Sequence, residues 1–133
     1  MVRLTSKDAT TDEGVVVLCA FDELEDGAAR GFDVRGEGRD TLFVVRRGES
    51  LKAYRNWCPH QGASLPWRRN AYLNSDGTRI VCSAHGAQFD IESGKCVIGP
   101  ALGQSLRSVR VAVDDGGRIN AQISANPDRS NGK

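Results

Sequence analysis

Between Gly14 and Ile123 the apolar residues come in short runs rich in Val and Ile, broken by Gly, Asp and Asn, with no sustained helical recurrence. Such a pattern predicts an all-β chain. Strands are expected at Gly14–Cys19, Ala29–Val34, Thr41–Arg46, Leu51–Arg55, Thr78–Val81, Gln88–Asp90, Cys96–Val97, Leu106–Val113 and Arg118–Ile123. One turn of helix is expected within Asp22–Asp26. Asp114-Asp115-Gly116-Gly117 predicts a hairpin between the last two strands, Glu92-Ser93-Gly94-Lys95 predicts another, and Asn74-Ser75-Asp76-Gly77 reads as a turn. The polar stretch Met1–Glu13 is expected to be frayed, and Asn126–Lys133, with Pro, Asp, Asn, Gly and Ser, to be a disordered tail. The architecture implied is a small antiparallel β-sandwich or barrel built from the first and last strands.

Length and composition narrow the class. A chain of 133 residues is long enough to bury a core and too short for a second domain, so residues 1–133 are read as one domain. Charged residues at 26% and hydrophobic ones at 39% are the proportions of a globular protein, and a net charge of +1 gives no general attraction to nucleic acid or an anionic membrane. No nucleic-acid motif is present. The N-terminus has neither a signal-peptide apolar run nor a twin-arginine leader, and no later segment approaches a membrane span, so a cytoplasmic location is expected. In that reducing compartment a cluster of cysteines points to metal more often than to disulfides.

The candidate chemistry lies in the middle of the chain. Cys58-Pro59-His60-Gln61-Gly62 and Cys82-Ser83-Ala84-His85-Gly86 are two Cys/His pairs, each offering one thiolate and one imidazole beside residues suited to tight loops. Two Cys and two His could hold one tetrahedral zinc, although common zinc fingers put both Cys in one arm and both His in the other. Mixed arms suit a two-iron cluster with the thiolates on one iron and the imidazoles on the other. Cys19, within Val15-Val16-Val17-Leu18-Cys19, and Cys96, within Lys95-Cys96-Val97-Ile98, read as buried apolar residues of strands, and Trp57 and Trp67 as packing around the first arm.

With Cys58-Pro59-His60-Gln61-Gly62-Ala63, Cys82-Ser83-Ala84-His85-Gly86-Ala87 and Gly99-Pro100, the chain resembles the Rieske [2Fe-2S] ferredoxins and the cluster domains of ring-hydroxylating oxygenases. The resemblance implies cluster ligands Cys58, His60, Cys82 and His85, a Gly-Pro loop covering the cluster, and residues of about 56 to 101 inserted into the base as a cluster-binding subdomain. Ala63 and Ala84 stand where Rieske proteins of cytochrome bc complexes carry a cross-loop disulfide. Ala87 and Phe89 stand where high-potential members carry a Ser and a Tyr that hydrogen-bond to the cluster and a ligand sulfur.

Function follows from such a group. With all four protein ligands in place no open position remains for substrate, which favours outer-sphere electron transfer over catalysis, so the protein itself is not expected to be an enzyme. His60 and His85 are the only histidines, leaving none for a two-His, one-carboxylate oxygenase iron. The resemblance implies a free-standing carrier between a flavin-dependent NAD(P)H reductase and a terminal oxygenase. Its alternative is a small Rieske subunit of a multi-subunit oxidoreductase such as a nitrite-reductase-like complex. Charge adds one detail. The segment Asp8–Asp40 is acidic and Val44–Asn70 basic, which reads first as solvated strand surface and second, through Arg68 and Arg69, as a basic rim steering an acidic partner.

Overall fold

Strand formation follows the apolar runs. The computed structural model describes residues 13–59, 64–66, 69–83 and 86–124. The expected frayed segment up to residue 12 and the expected tail lie outside the described residues, as do His60, His85, Trp67 and Arg68. The described strands are β1 (Glu13–Ala20), β2 (Ala29–Phe32), β3 (Leu42–Arg47), β4 (Ser50–Arg55), β5 (Arg79–Val81), β6 (Gln88–Asp90), β7 (Cys96–Ile98), β8 (Ser108–Val113) and β9 (Arg118–Ser124). All strand pairs are antiparallel. No helix among the described residues is long and apolar enough to cross a membrane.

Several boundaries differ from expectation by a residue or more, and three have a clear local cause. Glu13 is not frayed, because β1 begins there in register with Ser124. β2 stops at Phe32 rather than Val34, since the Asp33 carboxylate accepts the N–H groups of Glu37 (2.9 Å) and Gly38 (2.7 Å) and turns the chain. The helical turn is a 3-10 turn at Phe21–Glu23, where Glu23 reaches back to accept the Ala20 N–H at 2.9 Å. Residues 25 to 28 are drawn instead to the edge of β3, Gly27 N–H donating to the Arg46 carbonyl at 2.8 Å. The three expected turns form. Asn74 Oδ1 accepts from Thr78 N–H at 2.8 Å, Asp90 Oδ2 from Ser93 N–H at 2.9 Å, and Asp114 Oδ1 from Gly116 N–H at 2.9 Å.

The strands form a six-stranded sheet in the order β1-β9-β8-β4-β3-β2 and a three-stranded sheet β5-β6-β7. In the larger sheet β4 and β8 share only the registered pairs Ala53↔Val109 and Tyr54↔Ser108. So narrow a junction lets the sheet curl, and residues from both halves meet in one core of Cys19, Leu24, Phe32, Leu42, Val44, Ala53, Ile119 and Ala121. A second core lies on the other face of β3 and β4, where Phe43, Val45 and Tyr54 pack with Ile80, Phe89 and Ile91 of the small sheet and its turns. β3 is thus the wall between two cores. That is why Leu42-Phe43-Val44-Val45 is a continuous apolar run with no alternation.

Candidate metal centre

Both expected ligand loops hang from the small sheet and its junction with β4. Residues 82–87 connect β5 to β6 across the pair Val81↔Gln88. The loop is closed by Cys82 N–H donating to the Ala87 carbonyl (2.8 Å) and Gly86 N–H to the Cys82 carbonyl (2.9 Å). Gly86 takes φ +77°, a conformation that glycine supplies without steric cost. The first loop leaves the end of β4 at Asn56 and re-enters the core at Leu65, which is fully buried.

These loops bring Cys58 and Cys82 into the same apolar core, each only 1% exposed, together with Leu65, Ala87, Phe89 and Ala101. Cys19 lies in the other core. Cys96 shares the core of Cys58 and Cys82, and its Sγ donates to the Ile98 carbonyl at 3.2 Å within its own strand. No disulfide joins any of the four. Two buried thiols in one apolar core fit the sulfur half of a mixed Cys/His iron–sulfur site. The histidine half lies outside the described residues.

A third segment closes over the second loop. Gly99 has φ +103°, and a Cβ there would stand 2.8 Å from Ala87 Cα, so the backbone of the Gly99-Pro100 loop lies directly against the loop residue two positions after His85. Only glycine allows both that conformation and that approach. Beyond it, Cys96 N–H donates to the Gln104 carbonyl and Leu106 N–H to the Gly94 carbonyl, both at 2.9 Å. Residues 104–106 therefore complete the edge of the small sheet, which is why β8 starts at Ser108 and not Leu106.

Polar side chains tie this region to the base, Arg69 of the basic segment together with two asparagines that no motif pointed to. Asn56 is 6% exposed, Asn70 Oδ1 accepts the Gly31 N–H at 2.8 Å, and Arg69 pairs with Asp40 at 3.4 Å. Tyr72 stacks on Phe43 with ring centroids 4.1 Å apart, and burial pushes its phenol well above the ordinary tyrosine range. Tyr54 donates to the Ile91 carbonyl at 2.6 Å, and burial, with the charges of Asp90 and Glu92, pushes it up to about 12. Of the expected basic rim, Arg68 lies outside the described residues and Arg69 meets Asp40, while two other cations of the basic segment hold structure. Arg46 donates to the Leu24 and Gly48 carbonyls, both at 2.8 Å, and lies over the Phe21 ring, while Lys52 pairs with Glu92 at 3.8 Å.

Comparison with known proteins agrees with this geometry. The family model of the Rieske [2Fe-2S] domain matches residues 14–114. The ferredoxin component of the alkene monooxygenase system of Xanthobacter autotrophicus is 38% identical over 104 residues, covering 78% of this chain and 77% of that protein. Among solved structures, the ferredoxin of carbazole 1,9a-dioxygenase from Nocardioides aromaticivorans superposes with a TM-score of 0.62 at 29% identity, covering 80% of this chain and 95% of that one. A chain from a complex of reduced oxygenase and oxidised ferredoxin in carbazole 1,9a-dioxygenase gives 0.64 at 25% identity, covering 84% and 93%.

Proposed function

The chain belongs to the Rieske [2Fe-2S] domain family, and from that premise we propose that it is a one-electron carrier, not itself an enzyme, serving a terminal oxygenase. In this reading Cys58, His60, Cys82 and His85 hold the cluster, and residues of about 56 to 101 form the cluster-binding subdomain. The observation that carries it is the joint burial of Cys58 and Cys82 in one apolar core, with Gly99 packed against Ala87 of the second loop. When bound, the group supplies a reversible one-electron couple, at a higher potential than an all-thiolate cluster because neutral imidazoles replace two anionic ligands. The protein's part is to exclude water from the thiolates and to hold the loops rigidly on two packed sheets, so that little reorganises when the charge changes. The ferredoxin relatives support a terminal oxygenase as acceptor. A flavin-dependent NAD(P)H reductase is the donor we assign, and a nicotinamide source of electrons accords with a cytoplasmic location.

Metal analysis with anaerobic titration tests this. The purified protein should be red-brown, hold two irons and two acid-labile sulfides per chain, and be bleached by one electron from NADH through a catalytic amount of flavoprotein reductase. A colourless protein with one zinc would sink the reading.

A further inference from the structure

One side chain at the exit of β4 ties the first ligand loop to the base. Asn56, the residue at the exit of β4, makes three hydrogen bonds in three directions. Its backbone N–H donates to the Thr41 carbonyl at 2.9 Å, and its Nδ2 donates to the Asp40 carbonyl at 3.0 Å, both in the segment that leads into β3. Its Oδ1 accepts the Leu65 N–H at 2.8 Å, closing the first loop across the residues between them. Leu65 is held on its other side as well, its carbonyl accepting the N–H of Ser83, next to Cys82, at 2.7 Å. We propose that Asn56 is a positioning residue for the cluster, clasping the first ligand loop to the base sheet and, through the backbone of Leu65, to the second ligand loop.

The physical case rests on what else could do this. No disulfide joins the loops. Apolar packing of Leu65 supplies attraction without direction, whereas a carboxamide that both donates and accepts fixes distance and orientation together. Burial makes the loss of either bond costly, since the Leu65 N–H and the Asp40 carbonyl would be left without a partner. The inference rests on Cys58 and Cys82 being ligands, and the test separates the two ideas.

Release of iron to a chelator would be followed at 25 °C in holoprotein of wild type, Asn56→Leu, Asn56→Asp, the base-core control Val44→Ala, and Cys82→Ala. Asn56→Leu keeps the size and removes both side-chain bonds, so release should be about tenfold faster, equivalent to about 1.4 kcal/mol in the loop-opening equilibrium. Asn56→Asp keeps the acceptor for Leu65 and should fall between Asn56→Leu and wild type, a partial rescue that general destabilisation would not give. Val44→Ala should lower the melting temperature while leaving release within about twofold of wild type. Broadened EPR lines of the reduced protein should accompany the Asn56 variants alone. If Asn56→Leu does not fold, Asn56→Asp against Val44→Ala decides: faster release supports the clasp, and equal release overturns it. Wild-type release in both Asn56 variants also overturns it, provided Cys82→Ala has lost its iron. A Cys82→Ala protein that keeps full iron would overturn the ligand assignment and this inference with it.

Discussion

At the scale of single residues, the four cysteines divide by environment. Replacing Cys58 or Cys82 by Ala removes a thiolate from the proposed set and should abolish iron binding, read as loss of iron and visible absorbance. Cys19→Ala removes a small buried group from the other core and should cost about 1 to 2 kcal/mol in denaturant unfolding with full iron content. Cys96→Ala should behave like Cys19→Ala, although it sits in the core of Cys58 and Cys82, because its Sγ is already engaged with the Ile98 carbonyl. Ala87 and Phe89 are both fully buried beside the second loop, and neither side chain can donate a hydrogen bond. Donors there would stabilise the more negative, reduced state, each by about 1 to 3 kcal/mol. The potential should therefore lie in the lower part of the roughly −150 to +300 mV range of Rieske centres, and Ala87→Ser with Phe89→Tyr should raise it at unchanged iron content. Protein-film voltammetry of the two proteins checks both points.

At the scale of elements, the covering loop depends on one glycine. Gly99→Ala would place a Cβ 2.8 Å from Ala87 Cα in a backbone held at φ +103°, so contact and conformation both oppose it. Local strain of this kind costs about 1 to 3 kcal/mol. The loop should lift from the second arm, seen as faster bleaching in air and earlier hydrogen exchange at Leu102 and Gln104, whose N–H groups donate to the Gly99 and Ala101 carbonyls at 3.3 and 2.9 Å. Gly103→Ala is the matched control, with a similar positive φ of +91° but open space around a Cβ. It should share the backbone cost without the bleaching.

At the scale of the whole molecule, alkaline stability should follow the two tyrosines, both buried in the core that holds Cys58 and Cys82. Burial raises Tyr54 to about 12 against an ordinary value of 10.0, and Tyr72 is raised in the same sense. The unfolded chain thus releases these protons at lower pH than the folded one, so their stabilising contribution is complete below about pH 10 and is lost as pH rises from there through about 12. Tyrosinate absorbance should appear together with loss of tertiary structure instead of ahead of it. Tyr54→Phe forfeits the bond to the Ile91 carbonyl and lowers stability at neutral pH, while making unfolding less steep between pH 10 and 12. A phenol that ionises near its ordinary value in the intact fold would contradict this account.

The sequence by itself determined the all-β class, the turns at Asn74–Gly77, Glu92–Lys95 and Asp114–Gly117, and the two Cys/His arms, because each rests on local chemistry: short Val and Ile runs, turn-forming residues, and ligand atoms at fixed spacing. The resemblance it carried extended this to the cofactor. What needed the tertiary structure were relations between distant segments. That β3 is a wall buried on both faces depends on which sheet packs against each side, and that β8 starts late depends on Gly94 capturing Leu106. Nothing in the sequence sets Asn56 apart from an ordinary polar residue at the end of a strand. Its role appears only when the fold brings Asp40 and Leu65 to its carboxamide and Ser83 to Leu65, since a carboxamide's bonds are set by what lies within about 3 Å in space, whatever the separation along the chain.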